Sequence, residues 1–194
     1  MSVSLKKGAK VSLAKRGSTL SRVVVGLGWD MQKFDGGGAF DLDASAFLLG
    51  PNGKVYAGDE DFVFYGQLSH PSKAIEHTGD NRTGEGEGDD EQIRVDLSKI
   101  PERYESVVFT VTIHDADDRK QNFGQVENAF IRIVNEADSS EILRYDLEED
   151  YSNETAIVFA ELFRKDGGWD FHAIGDGYNG GLAALCAKYG VEVE

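Results

Sequence analysis

Cysteine is almost absent. Cys186 stands alone, so no disulfide can form within the chain and no cysteine-built zinc site exists. A reducing compartment suits such a composition. Long apolar runs are missing too, and nothing approaches the roughly 18 consecutive apolar residues that cross a bilayer. The opening Met1-Ser2-Val3-Ser4-Leu5-Lys6-Lys7-Gly8 has no apolar signal core. A cytoplasmic protein without direct membrane insertion is expected. Cations are scarce: 20 Lys and Arg face 35 Asp and Glu, for a net charge of −15. That balance disfavours nucleic acid, whose phosphates need neutralising, and attachment to anionic lipid. It favours cations and basic partner surfaces. The four histidines (His70, His77, His114, His172) are scattered without ligand spacing.

Helical periodicity is also rare. Most of the 194 residues read as strand, and the length suits one domain over 1–194 with a core of its own. Strands are expected at 22–27, 41–49, 62–65, 107–113, 130–134, 141–147, 156–164 and 169–174, joined by turn clusters such as Pro51-Asn52-Gly53 and Asp166-Gly167-Gly168. Helical structure is expected only as a short turn near 98–102 and over 181–189. In the second stretch Asn179 is placed to cap the start and Gly190 the end. The pattern predicts an all-β fold, a mainly antiparallel β-sandwich of two sheets with one or two short helices.

What the chain has in excess is acid, concentrated at Gly79-Asp80-Asn81-Arg82-Thr83-Gly84-Glu85-Gly86-Glu87-Gly88-Asp89-Asp90-Glu91. Six carboxylates and one cation, among four glycines, leave this segment no apolar side to bury. Ca²⁺ takes six to eight oxygens at roughly 2.3–2.6 Å, and carboxylates interleaved with carbonyls on a pliable backbone supply them. The EF-hand template does not fit. Asp80 to Glu91 spans its twelve positions, but Arg82, Gly84 and Glu85 occupy its third, fifth and sixth. A phosphate-cradling glycine loop fits poorly, because Glu85 and Glu87 would repel the anion. A solvated hairpin loop remains the plain alternative.

A second acidic group lies in Phe40-Asp41-Leu42-Asp43-Ala44-Ser45-Ala46. Period-two geometry puts Asp41, Asp43 and Ser45 on one strand face, with the carboxylates about 7 Å apart. Like charges at that spacing call for a cation or for solvent. The same Asp-x-Asp-x-Ser order occurs in aspartyl-phosphate phosphatases, but that chemistry needs a βαβ fold, which the pattern lacks. Asp30 lies upstream, and Asp115, Asp117 and Asp118 follow the 107–113 strand; Asp115 could add a ligand, though a polar turn is the simpler reading. Cys186 reads as a buried thiol in an apolar helix.

These two segments, with Asn122-Phe123-Gly124-Gln125-Val126-Glu127-Asn128-Ala129-Phe130-Ile131-Arg132, resemble the TerD family of tellurite-resistance and stress-response proteins over essentially the whole chain. The resemblance implies a non-enzymatic, Ca²⁺-binding β-sandwich of the bacterial cytosol, acting with other Ter-family proteins. It carries the metal ligands onto Asp41, Asp43, Asp80, Asn81, Glu85, Glu87, Asp89, Asp90 and Glu91. So many acids exceed one ion's needs, and two adjacent Ca²⁺ ions are expected. Phe123, Val126 and Phe130 read as core. The alternative is a metal-dependent phosphate or nucleotide binder or phosphoester enzyme, for which the sequence assigns no nucleophile or base.

Overall fold

The computed structural model describes residues 2–13, 20–31, 40–79 and 88–193. Within them the chain forms two six-stranded sheets. The strands are β1 (Val3–Leu5), β2 (Lys10–Ser12), β3 (Arg22–Met31), β4 (Leu42–Leu49), β5 (Phe62–Val63), β6 (Ile75–His77), β7 (Glu91–Asp96), β8 (Ser106–Ile113), β9 (Val126–Asn135), β10 (Glu141–Asp146), β11 (Ala156–Lys165) and β12 (Gly168–Tyr178). The first sheet runs β1-β10-β9-β3-β7-β6 and the second β2-β12-β11-β8-β4-β5. Only the β1–β10 pairing is parallel among these ladders.

Alternation builds the core. Val23, Val25, Leu27 and Trp29 of β3 point inward, and Leu42, Ala44, Ala46 and Leu48 of β4 meet them from the other sheet. The opposite face of β4 is buried as well. There Phe47 and Leu49 lie under α2 (Gly181–Tyr189), against Leu185, Cys186 and Tyr189. Phe47 stacks on Phe62 at 4.5 Å between ring centroids and tilts against Tyr189 at 4.8 Å. One sheet is therefore covered on both sides, and β4 and β8 are buried almost throughout.

Helix α2 has the expected bounds, and Gly190 ends it at φ 84°. Its start differs from expectation. Gly180, not Asn179, holds the N-cap position, in a left-handed conformation with no side-chain cap. The Gly181 amide instead donates to Thr155 Oγ1 at 2.9 Å. The stretch near 98–102 forms turns only. A short helix appears instead at α1 (Ala116–Arg119), inside the acidic turn after β8. Cys186 is 3 % exposed, and burial pushes its thiol up to about 11. A thiol-reactive disulfide reagent at pH 8 is expected to leave the folded protein unlabelled and to label it fully in denaturant; prompt labelling of the folded protein would contradict this packing.

Candidate metal centre

Antiparallel register gathers the acids at one end of the sandwich. Leu27 pairs with Glu91, Met31 with Val126, Leu42 with Ile113, and Ala156 with both Thr112 and Tyr178. The C-terminal ends of β3, β6, β8, β10 and β12 therefore all lie at that end. Of the expected ligands, Asp41, Asp43, Asp89, Asp90 and Glu91 are described. Asp80, Asn81, Glu85 and Glu87 lie outside the described residues.

Strand β4 holds the first acids. Asp43 is buried on the outer face of its sheet, with an oxygen 3.6 Å from His114 Nδ1. Asp41 is half-buried just before β4. Its carbonyl accepts from the His114 amide at 2.8 Å, and its Oδ1 is buried without a hydrogen-bond partner among the described residues. A bare carboxylate oxygen out of water is costly unless a donor or a cation meets it.

The acidic run meets this strand directly. Glu91 Oε2 accepts from the Ala44 amide at 2.6 Å. Strand β5 pairs with β4 only at Ala46 and Phe47, so the edge beyond has lost its ladder partner. Glu91 and His77 take that place. The Gly79 amide donates to His77 Nδ1 at 3.1 Å, which leaves the proton on Nε2. That Nε2–H faces the Ala44 carbonyl at 3.2 Å and Glu91 Oε2 at 3.3 Å.

The two preceding carboxylates go elsewhere. Asp89 turns onto the outer face of the first sheet, where Arg132 grips it with two bonds of 2.7 and 3.1 Å and Gln92 adds a third at 3.0 Å. It sits in the space left by Gly26, where a Cβ would stand 2.2 Å from an Asp89 oxygen. Asp90 lies between. Its Oδ2 accepts from the Trp29 amide at 2.8 Å. Burial raises its carboxyl above the ordinary value; the Trp29 bond opposes this, and the charges of Asp30, Asp89 and Glu91 add to the rise.

Among the described residues no three His, Cys, Asp or Glu side chains converge into a ligand cage. Asp30 is engaged by Asn128 at 2.7 Å. Asp115 sits at the N-cap position of α1 with φ 50°, and its carboxylate lies 3.3 Å from His114 Nε2. Phe130, expected in the core, lies instead on the outer face over Gly28, with the Arg144 guanidinium 3.8 Å from its ring centroid. A cleft of about 720 Å³ opens beside it, lined by Asp30, Asp90, Arg132, Arg144, Asp146 and Glu148 among others. Sequence reasoning missed Gly26, His77 and Arg132. Arg132 closes the 122–132 segment, but nothing local ties it to Asp89.

A TerD domain model matches residues 1–189. The chain is 56% identical over 191 residues to tellurium resistance protein TerD of Serratia marcescens, covering 98% of each chain. It is 55% identical over 193 residues to general stress protein 16U of Bacillus subtilis (strain 168), covering 100% of each. Among solved structures it is similar to a homologue of telluride resistance protein (TerD) from Streptomyces coelicolor A3(2). That match has a TM-score of 0.69 and 26% identity over 86% of this chain and 95% of that one.

Proposed function

This chain belongs to the TerD family of tellurium-resistance and stress-response proteins, and from that premise we propose that it is a non-enzymatic Ca²⁺-binding module of a stress-response assembly. The cation is held where the 79–91 segment meets the start of β4. The observation that carries this reading is the bond from the Ala44 amide to Glu91, which joins the two acid-bearing segments. The Asp41 oxygen that no described group meets fits a hard cation, as does Asp90, whose charge is disfavoured first by burial and then by its acidic neighbours. Asp41, Asp43 and Asp90 would hold the ion together with Asp80, Asn81, Glu85 and Glu87. The carboxylates exceed one ion's needs, and two adjacent ions are proposed. Calcium supplies charge neutralisation here and organises the surface offered to partners, for which other Ter-family proteins are proposed. The setting proposed is the cytoplasm; no helix among the described residues is long and apolar enough to cross a membrane.

Thermal melting in EDTA and in millimolar Ca²⁺ tests the reading. At a hundredfold excess over Kd, binding stabilises the fold by about 2.7 kcal/mol. For a chain of this size that is a rise of roughly 5–11 °C. Equal melting temperatures would remove calcium from the account.

A further inference from the structure

We propose that Asp89 and Glu91 are positioning residues, which anchor the acidic segment to protein groups and leave the cation to its neighbours. The inference rests on the calcium reading and divides labour within that site. Strand alternation would put Asp89 and Glu91 on one face, but Asp89 and Asp90 precede β7 in irregular backbone, and the two residues flank Asp90 with different fates. Asp89 is gripped by Arg132 through both oxygens, and its side chain is 1 % exposed. To bind a cation it would have to surrender a bidentate charge-assisted pair, and it would bring that cation beside a guanidinium. Gly26 provides the space in which this carboxylate sits.

Glu91 is 2 % exposed and points the other way, across the sandwich. Its Oε2 serves the Ala44 amide and the His77 imidazole. Withdrawing it to a metal would strip a buried strand edge of its acceptor. The segment's exit is thus fixed to two surfaces. Asp89 holds the outer face of the first sheet, and Glu91 holds β4 of the second. Asp90 lies between these anchors, and Glu91 sets the segment against the strand that follows Asp41 and carries Asp43. The anchors act on calcium through preorganisation, by removing the ordering cost that binding would otherwise bear.

Amide substitution separates the roles at Glu91. In Glu91→Gln the remaining side-chain oxygen still accepts from Ala44 and His77, whereas Glu91→Ala removes the acceptor. The proposal expects Glu91→Ala to melt lower in EDTA and to bind Ca²⁺ about tenfold more weakly, a loss of about 1.4 kcal/mol. It expects Glu91→Gln to restore most of both. Equal weakening by the two variants, with an unchanged melt for Glu91→Gln, would make Glu91 a ligand and overturn the proposal.

At the other anchor, Asp89→Asn and Arg132→Met are each expected to lower the EDTA melting temperature, and the double variant to melt no lower than the worse single. Asp41→Asn and Asp90→Asn provide the ligand pattern, with calcium affinity lost and the EDTA melt kept or raised. If Asp89→Asn gave that ligand pattern, the anchor role would be refuted. If calorimetry detects no Ca²⁺ binding by the wild type, the calcium reading fails, and the EDTA melts alone then decide whether the two residues are anchors.

Discussion

Replacing Asp61 by alanine is expected to lower the melting temperature by roughly 6–20 °C, a loss of about 3–5 kcal/mol. Asp61 is 0 % exposed and sits in the excursion between β4 and β6. Its Oδ2 accepts from the Tyr56 and Ala57 amides at 2.6 and 2.7 Å. Its Oδ1 accepts from the Tyr104 hydroxyl and faces His70 Nε2 at 3.2 Å. The Ser72 amide donates to His70 Nδ1, which leaves the ring proton on Nε2, toward Asp61. Four donors thus converge on one carboxylate, and alanine would orphan all four. Asparagine is expected to do little better, because its NH₂ would face donors where only acceptors are wanted.

The acid dependence of this network has a definite sign. Burial pushes Asp61 up, but the bonds from His70, Tyr104, Ala57 and Tyr56 outweigh it and hold the carboxyl below its ordinary value. A depressed folded value means that the stabilisation is complete above the unfolded carboxylate range near 4. It drains away as pH falls through the folded value. The gap in melting temperature between wild type and Asp61→Ala is therefore expected to be constant from neutral pH down to about 5 and to narrow in more acid solution. A gap that widened with acid would place the relevant titration elsewhere. Tyr104, buried against this carboxylate, is pushed up to about 12 and stays a donor at every working pH.

The same network bears on the metal centre. It secures the excursion that places β5 on β4, and β5 is only two residues long. The short pairing leaves the Ala44 edge open for Glu91 and His77.

Much of this arrangement was legible in the sequence, and the exceptions share a cause. The runs at 107–113 and 156–164 announce strands because apolar and β-branched residues fill most of both faces. The helix at 181–189 is bounded by glycines whose left-handed conformations start and stop it, so its limits can be read locally. Its satisfied amide at Gly181 cannot, since the acceptor is Thr155 on a distant segment. Strands β1 and β2, at three residues each, are too short for alternation to register. Strand β7 is masked by its own chemistry, because it begins with Glu91, a buried carboxylate that reads as the tail of an acidic loop. Phe130 looked like core because its neighbours are apolar, but it falls on the outer face beside Gly28.

At the site, charge pattern marked the segments containing Asp41, Asp43 and Asp89 to Glu91 as candidate sources of ligands, and the family resemblance joined them. Their opposing orientations were not readable. They depend on the register of β3 between β7 and β9, which sets Gly26 opposite both Gln92 and Arg132. No window of sequence contains those three residues together.

That register makes Gly26 the most sensitive small residue of the site. An alanine Cβ there would lie 2.2 Å from Asp89 Oδ2 and 2.3 Å from its Cγ, closer than any real contact. Either the carboxylate leaves the Arg132 fork or the β3–β7 pair spreads. Forced overpacking of this kind costs about 1–3 kcal/mol, or roughly 2–12 °C in melting temperature. Loss of the bidentate pair adds to it, by less than a fully buried pair would, because Arg132 is 28% exposed. Gly26→Ala is expected to weaken calcium binding as well, since Asp89 would no longer fix the segment beside Asp90. The Asp89→Ala background isolates the mechanism. With the carboxylate removed the added methyl has room, so Gly26→Ala should cost little more there. A penalty of the same size in both backgrounds would put the strain in the strand itself and detach Gly26 from the loop it is argued to seat.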